Sequence, residues 1–173
     1  MRSWPIMICL MVTAAGAQGQ SQQPTAPPRC TAPESRQFDF WIGEWNVTDQ
    51  MTGQHAGESH IEKLYGGCVL RENWSSDGFR GGSLNTWWKG DGKWHQSWMD
   101  QAGAFRHFVG GLSGKQMIMT AEQPDPRDAA KHILVRLTFT PNADGTVRQY
   151  SDFSRDSGKT WQFRYDYLYR RMD

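Results

Sequence analysis

The chain has 173 residues, with 19 Lys and Arg against 18 Asp and Glu and a formal net charge of +1. Such neutrality leaves no electrostatic footprint for nucleic acid or for an anionic membrane surface, so neither is expected as a partner. The length suits one domain with a real core once a leader is set aside.

The first segment is that leader. Arg2 precedes an apolar run from Trp4 to Ala15 that closes on Ala15-Gly16-Ala17, the charged start, hydrophobic middle and small-residue exit of a secretory signal peptide, residues 1–17. The run is too short to cross a hydrocarbon core, which needs about 20 residues, so no membrane insertion is expected after cleavage. Cys9 lies inside the run and leaves with it. The expected location is therefore periplasmic or secreted. Residues 18–33, rich in Gln, Pro, Ser, Thr and Ala, read as a flexible linker ahead of a domain at 34–173. Cys30 and Cys68 remain after cleavage, and in an oxidising compartment an even pair reads first as a disulfide, the alternative being two unrelated thiols. Neither has a second Cys or a His at ligand spacing, so no metal site is expected.

From Glu34 to Ile42 the apolar residues Phe38, Phe40, Trp41 and Ile42 cluster without alternation before Gly43, which predicts one short helix acting as a plug. Period-two alternation then begins, in short segments separated by glycine-rich turns. Ten strands are predicted: 44–49, 56–65, 68–75, 82–88, 93–100, 104–110, 116–121, 132–140, 146–155 and 159–170. No amphipathic helix separates any two of them. The expected fold is all-β, a closed up-and-down antiparallel barrel, because closure removes the exposed edges of a long meander. The stretch 122–131, with Pro124 and Pro126, is predicted as a long rim loop. In the last strand Trp161, Phe163, Tyr165, Tyr167 and Tyr169 share one face, while Gln162, Arg164, Asp166 and Arg170 share the other.

Phe40-Trp41-Ile42-Gly43-Glu44-Trp45 places a Gly-x-Trp after a short helix and at the start of the first strand. This resembles the opening signature of the calycins, the superfamily of lipocalins, fatty-acid-binding proteins and nitrobindins. The resemblance implies that Trp45 closes the barrel floor and that a basic residue of the last strand, Arg170 or Arg171, packs over it. The wider pattern runs through Gly67-Cys68-Val69-Leu70-Arg71-Glu72-Asn73-Trp74 and Trp94-His95-Gln96-Ser97-Trp98 to the C-terminal tyrosines. Over residues 36 to 171 it is similar to an uncharacterised bacterial family of exported calycin-like proteins, which implies a fold and no established activity. Ser154-Arg155-Asp156-Ser157-Gly158-Lys159-Thr160-Trp161 fits the Asp-box hairpin of sialidase-like propellers. A propeller needs several copies and the chain has one, so the segment reads as a tight turn.

The functional candidates lie in the third to fifth strands. An Asp91-Gly92 hairpin turn sets Trp87 opposite Gln96 and Asn85 opposite Trp98, and a preceding turn near 77–80 brings Glu72 and Trp74 onto the same face. Trp74, Trp87, Trp94 and Trp98 interrupted by Glu72, Asn85 and Gln96 form a surface expected to face the lumen, since outside it would be a large exposed aromatic patch. The predicted ligand-binding residues are Glu72, Trp74, Asn85, Trp87, Gln96, Trp98 and His107. A two-residue turn at Gln101-Ala102 puts His107 opposite Gln96, and a three-residue turn points it away. None of the five histidines forms a zinc-like pair, although His55 and His60 lie on one early strand region, and the common catalytic and phosphate-binding motifs are absent.

Four functions compete. The first is an exported barrel enclosing a small, partly apolar molecule oriented by Glu72, Asn85 and Gln96. The second is a lumen enzyme with Glu72 as general acid or base and His107 as its partner. The third is haem binding through a histidine, as in nitrobindins, and the fourth is an interaction module with a filled barrel. The leading reading requires no cofactor.

Overall fold

The protein is described here by a computed structural model over residues 30–172. Residues 1–17, expected as a signal peptide, and most of the expected linker 18–33 therefore lie outside the described residues. Ten strands follow one another as β1 (Gly43–Asp49), β2 (His55–Leu64), β3 (Val69–Ser76), β4 (Phe79–Trp88), β5 (Lys93–Asp100), β6 (Phe105–Ser113), β7 (Gln116–Asp125), β8 (Asp128–Pro141), β9 (Val147–Ser154) and β10 (Gln162–Arg171). Every neighbour in sequence is an antiparallel neighbour in space, and β1 pairs with β10, so the sheet closes into the expected up-and-down barrel.

The plug ahead of β1 is a pair of 3₁₀ turns, Pro33–Arg36 and Asp39–Trp41. They drive Phe38 and Trp41, both fully buried, into one end of the barrel. There Phe38 stacks on Trp41 and meets Trp94 and Phe139 edge-on, while Tyr169 packs against Trp41 and Trp45. The Cys30–Cys68 disulfide ties the start of the described chain to the residue before β3, at this same end. Trp45 is fully buried, and its indole Nε1 donates to the Trp41 carbonyl at 2.9 Å. The guanidinium over its ring, at 4.5 Å, belongs to Arg171, which also donates to the Ile42 carbonyl. Arg170 is exposed and pairs with Asn46 on the outward parity, so of the two basic candidates Arg171 takes the role.

Three local expectations change. The predicted rim loop 122–131 is instead the end of a long β7–β8 hairpin that turns at Pro126-Arg127. The prolines fit because the register shifts at Pro124, and Arg155 anchors the tip through two bonds to the buried Asp125 carboxylate. In β10 the register shifts between Phe163 and Tyr165, which sends Phe163 to the outer surface against Tyr150 and leaves Arg164 at the barrel mouth. The β4–β5 connection is a four-residue loop, Lys89 to Gly92, which sets Asn85 opposite Gln96 and Trp87 opposite Trp94. That is two residues from the predicted register, so every side chain keeps its predicted face.

The Asp-box segment forms the β9–β10 turn. Ser154 Oγ donates to Asp156, and the Asp156 carboxylate accepts from the Thr160 backbone and hydroxyl at 2.8 and 2.6 Å. Its residues are used up in holding the turn closed.

Candidate functional site

The plug fills only one half of the barrel. Towards the other end, where the β1–β2, β3–β4, β5–β6, β7–β8 and β9–β10 turns lie, the interior opens into a cavity of about 420 Å³. Its walls are Trp74, Trp98, Phe79, Tyr165 and Tyr167, with Arg164 and Arg106 nearer the rim. Two inward glycines make room for the tryptophans. A Cβ at Gly57 would lie 2.7 Å from the Trp74 ring, and one at Gly81 would lie 2.6 Å from the Trp98 ring. Trp74 then stacks on Tyr167 with planes 9° apart, and Tyr167 on Tyr165.

Glu72 stands deep in this cavity. Its position on β3 is inward because Leu70, Glu72 and Trp74 alternate with the exposed Arg71, Asn73 and outward neighbours. The residue is 4% exposed, and its carboxyl accepts from Ser59 Oγ at 3.1 Å and from Ser83 Oγ at 2.8 Å and pairs with no cation among the described residues. Burial disfavours the charged form more strongly than the two serines favour it, and the group is pushed up to about 7. Behind it, Gln96 Nε2 donates to Asn85 Oδ1 at 2.8 Å and Asn85 Nδ2 donates to Ser83 Oγ at 2.9 Å. Ser83 thus accepts from Asn85 while it donates to Glu72, and each bond in the row polarises the next. On the facing wall Tyr169 donates to Gln149 Oε1 at 2.5 Å, and Gln149 Nε2 donates to the Tyr165 hydroxyl at 3.2 Å. Burial drives the Tyr165 phenol up to about 12 and raises the Tyr169 phenol well above its ordinary value, so both remain neutral hydrogen-bonding groups.

At the rim Asp100 accepts from Trp98 Nε1 at 3.0 Å and from Arg106 at 3.2 Å, which fixes the Trp98 ring and holds the carboxyl below its ordinary range. Arg164 reaches the cavity without an ion pair among the described residues.

Of the predicted ligand-binding residues, Glu72, Trp74, Gln96 and Trp98 come together on the cavity wall. Asn85 is fully buried and supports that wall from behind, through Ser83 and Gln96. Trp87 shares the inward face but lies lower, opposite Trp94 and packed against the floor. His107 does not join them. Asp100 N donates to the Ala104 carbonyl across a three-residue turn, Gln101 to Gly103, so His107 sits opposite Ser97 on the outer face and is exposed. That separates it from Glu72, and among the described residues no histidine lines the cavity.

Gln149, Ser59 and Ser83 are not singled out by the sequence, which groups the tyrosines of β10 on one face without marking them as site residues. Ser83 was readable in principle: a turn at Asp77-Gly78 sets it directly opposite Glu72. No protein-family model and no curated protein matches the chain.

Proposed function

We propose that this protein is an exported, calycin-like barrel that encloses a small, partly apolar molecule in the open half of its interior. The observation that carries the reading is a half-filled barrel whose cavity combines aromatic walls with a buried, unpaired carboxyl at its inner end. A structural module would fill that volume, and a carboxyl kept there costs stability that a bound polar group can recover. The flat stack of Trp74, Tyr167 and Tyr165 suits a planar or ring-shaped apolar body. Glu72, Gln96 and Gln149 then orient its polar end, for which a hydrogen-bond donor or a cation is the complement.

Export rests on the leader pattern together with a disulfide that an oxidising compartment preserves. The closed ten-strand barrel, with the Arg171 guanidinium over the Trp45 ring, is compatible with a calycin-like fold and supports the reading.

A second reading has one observation in its favour. A carboxyl at about 7 is poised to give or take a proton at neutral pH, which is what a general acid or base requires. In that reading Glu72 works without His107.

Native mass spectrometry of the protein purified from its own cells tests the proposal. The expected spectrum shows one retained small molecule per chain, lost in Ala104→Trp, which projects an indole into the cavity mouth. An empty chain in every preparation, with no small molecule bound on exposure to cell extract, contradicts it. Turnover of the retained molecule that Glu72→Gln abolishes would select the enzymatic reading.

A further inference from the structure

A second cluster of functional side chains lies outside the barrel, on the face opposite the cavity wall. β5 and β6 place His95 and His107 diagonally across from one another, and His95 Nδ1 faces His107 Nε2 at 3.1 Å. The outer nitrogen of each ring is separately held: His95 Nε2 by the Asp91 carboxylate at 2.9 Å, and His107 Nδ1 by Ser97 Oγ at 3.2 Å. Asp91 is itself fixed by accepting from the Lys93 backbone, and the Trp88 ring packs edge-on against His95.

The Asp91 carboxylate can only accept, so His95 carries its proton on Nε2 and presents a bare lone pair at Nδ1. Ser97 can donate or accept. When it accepts from His107 Nδ1, His107 presents a bare lone pair at Nε2, aimed at the one on His95. In that tautomer two lone pairs face each other and a cation between them relieves the repulsion; when Ser97 donates instead, His107 Nε2–H donates to His95 Nδ1, and a metal displaces that proton to take both nitrogens.

From these contacts we infer that His95 and His107 form a two-imidazole site for a borderline divalent transition metal, such as zinc or copper. Two nitrogens bound tetrahedrally at about 2.0–2.1 Å stand roughly 3.4 Å apart, so the rings need to open by only a few tenths of an ångström. Imidazole suits these metals, and a histidine ligand whose second nitrogen is held by a carboxylate or hydroxyl is the usual arrangement of a metal-binding ring. Among the described residues no third His, Cys, Asp or Glu completes the set. The remaining coordination positions face solvent and are open to water, to an external ligand or to a second chain. The site is independent of the cavity and of the function proposed for it.

The experiment uses the untagged, disulfide-bonded exported chain, stripped with chelator and titrated with copper(II) and, separately, zinc(II). The expected result is one saturable site per chain, with copper electron paramagnetic resonance showing coordination by two imidazole nitrogens. His95→Gln and His107→Gln each abolish it, with metal-free melting temperatures close to the wild type's. His60→Gln, on an exposed outer position of β2, leaves it unchanged. Asp91→Asn keeps the turn but sets an amide N–H against His95 Nε2, which moves the ring proton to Nδ1. It should weaken binding 10- to 100-fold, the usual effect of losing such a partner. Absence of a saturable site, binding that His107→Gln leaves intact, or binding removed by His60→Gln would each overturn the assignment.

Discussion

Replacing Glu72 by glutamine removes the buried carboxyl at the inner end of the cavity while nearly keeping its shape. In the unfolded chain the carboxyl titrates near its ordinary value of 4.5, and in the barrel near 7. Between those values the folded state binds the extra proton, so stability is fully present below about 4.5 and falls as the pH rises through about 7. The separation corresponds to about 3 kcal/mol, lost by pH 9. The assay is urea denaturation of wild type and Glu72→Gln at pH 5 and pH 9. Asp125 and Asp156, held down at about 2, do not titrate in this window. The wild type should lose about 3 kcal/mol more than the variant between the two pH values, so that the variant is the more stable chain at pH 9. Equal pH dependence in the two chains would show that Glu72 is solvated or ion-paired, and would remove the unpaired carboxyl from the site.

Trp45→Ala should cost about 3–5 kcal/mol in chemical denaturation, since a fully buried indole and its bond to the Trp41 carbonyl are lost. Arg171→Ala should cost about 1–2 kcal/mol, through the contact with the Trp45 ring and the Ile42 carbonyl, whereas Arg170→Ala should stay within about 0.5 kcal/mol. Serine at both Cys30 and Cys68 should lower stability by about 4 kcal/mol in the chain-entropy picture, measured against the wild type under non-reducing conditions.

The barrel was legible because period-two alternation and short turns admit few other solutions, and because parity is robust. The four-residue β4–β5 loop displaced the pairing of Asn85, Trp87, Gln96 and Trp98 by two residues, yet all four kept their predicted face. A one-residue error has the opposite effect. His107 turned outward on the length of a single loop, and Phe163 turned outward on a single extra residue at Arg164. Neither is visible in a pattern of residue types, because glycine-containing loops of two and three residues look alike. The partners of Glu72 were hidden for another reason. Serine carries no hydrophobic signal, so Ser59 and Ser83 become meaningful only when register places them against a carboxyl. The His95–His107 pair was invisible for the same reason, since its proximity is diagonal across two strands.

The central claim, that the open half of the barrel takes up a small molecule, is tested most directly by titrating a naphthalene-based fluorescent dye into the folded protein and into Ala104→Trp. One dye per wild-type chain is expected, with binding lost in the variant while its circular dichroism and melting temperature are kept. Equal binding to both chains, or none to the wild type, would contradict it.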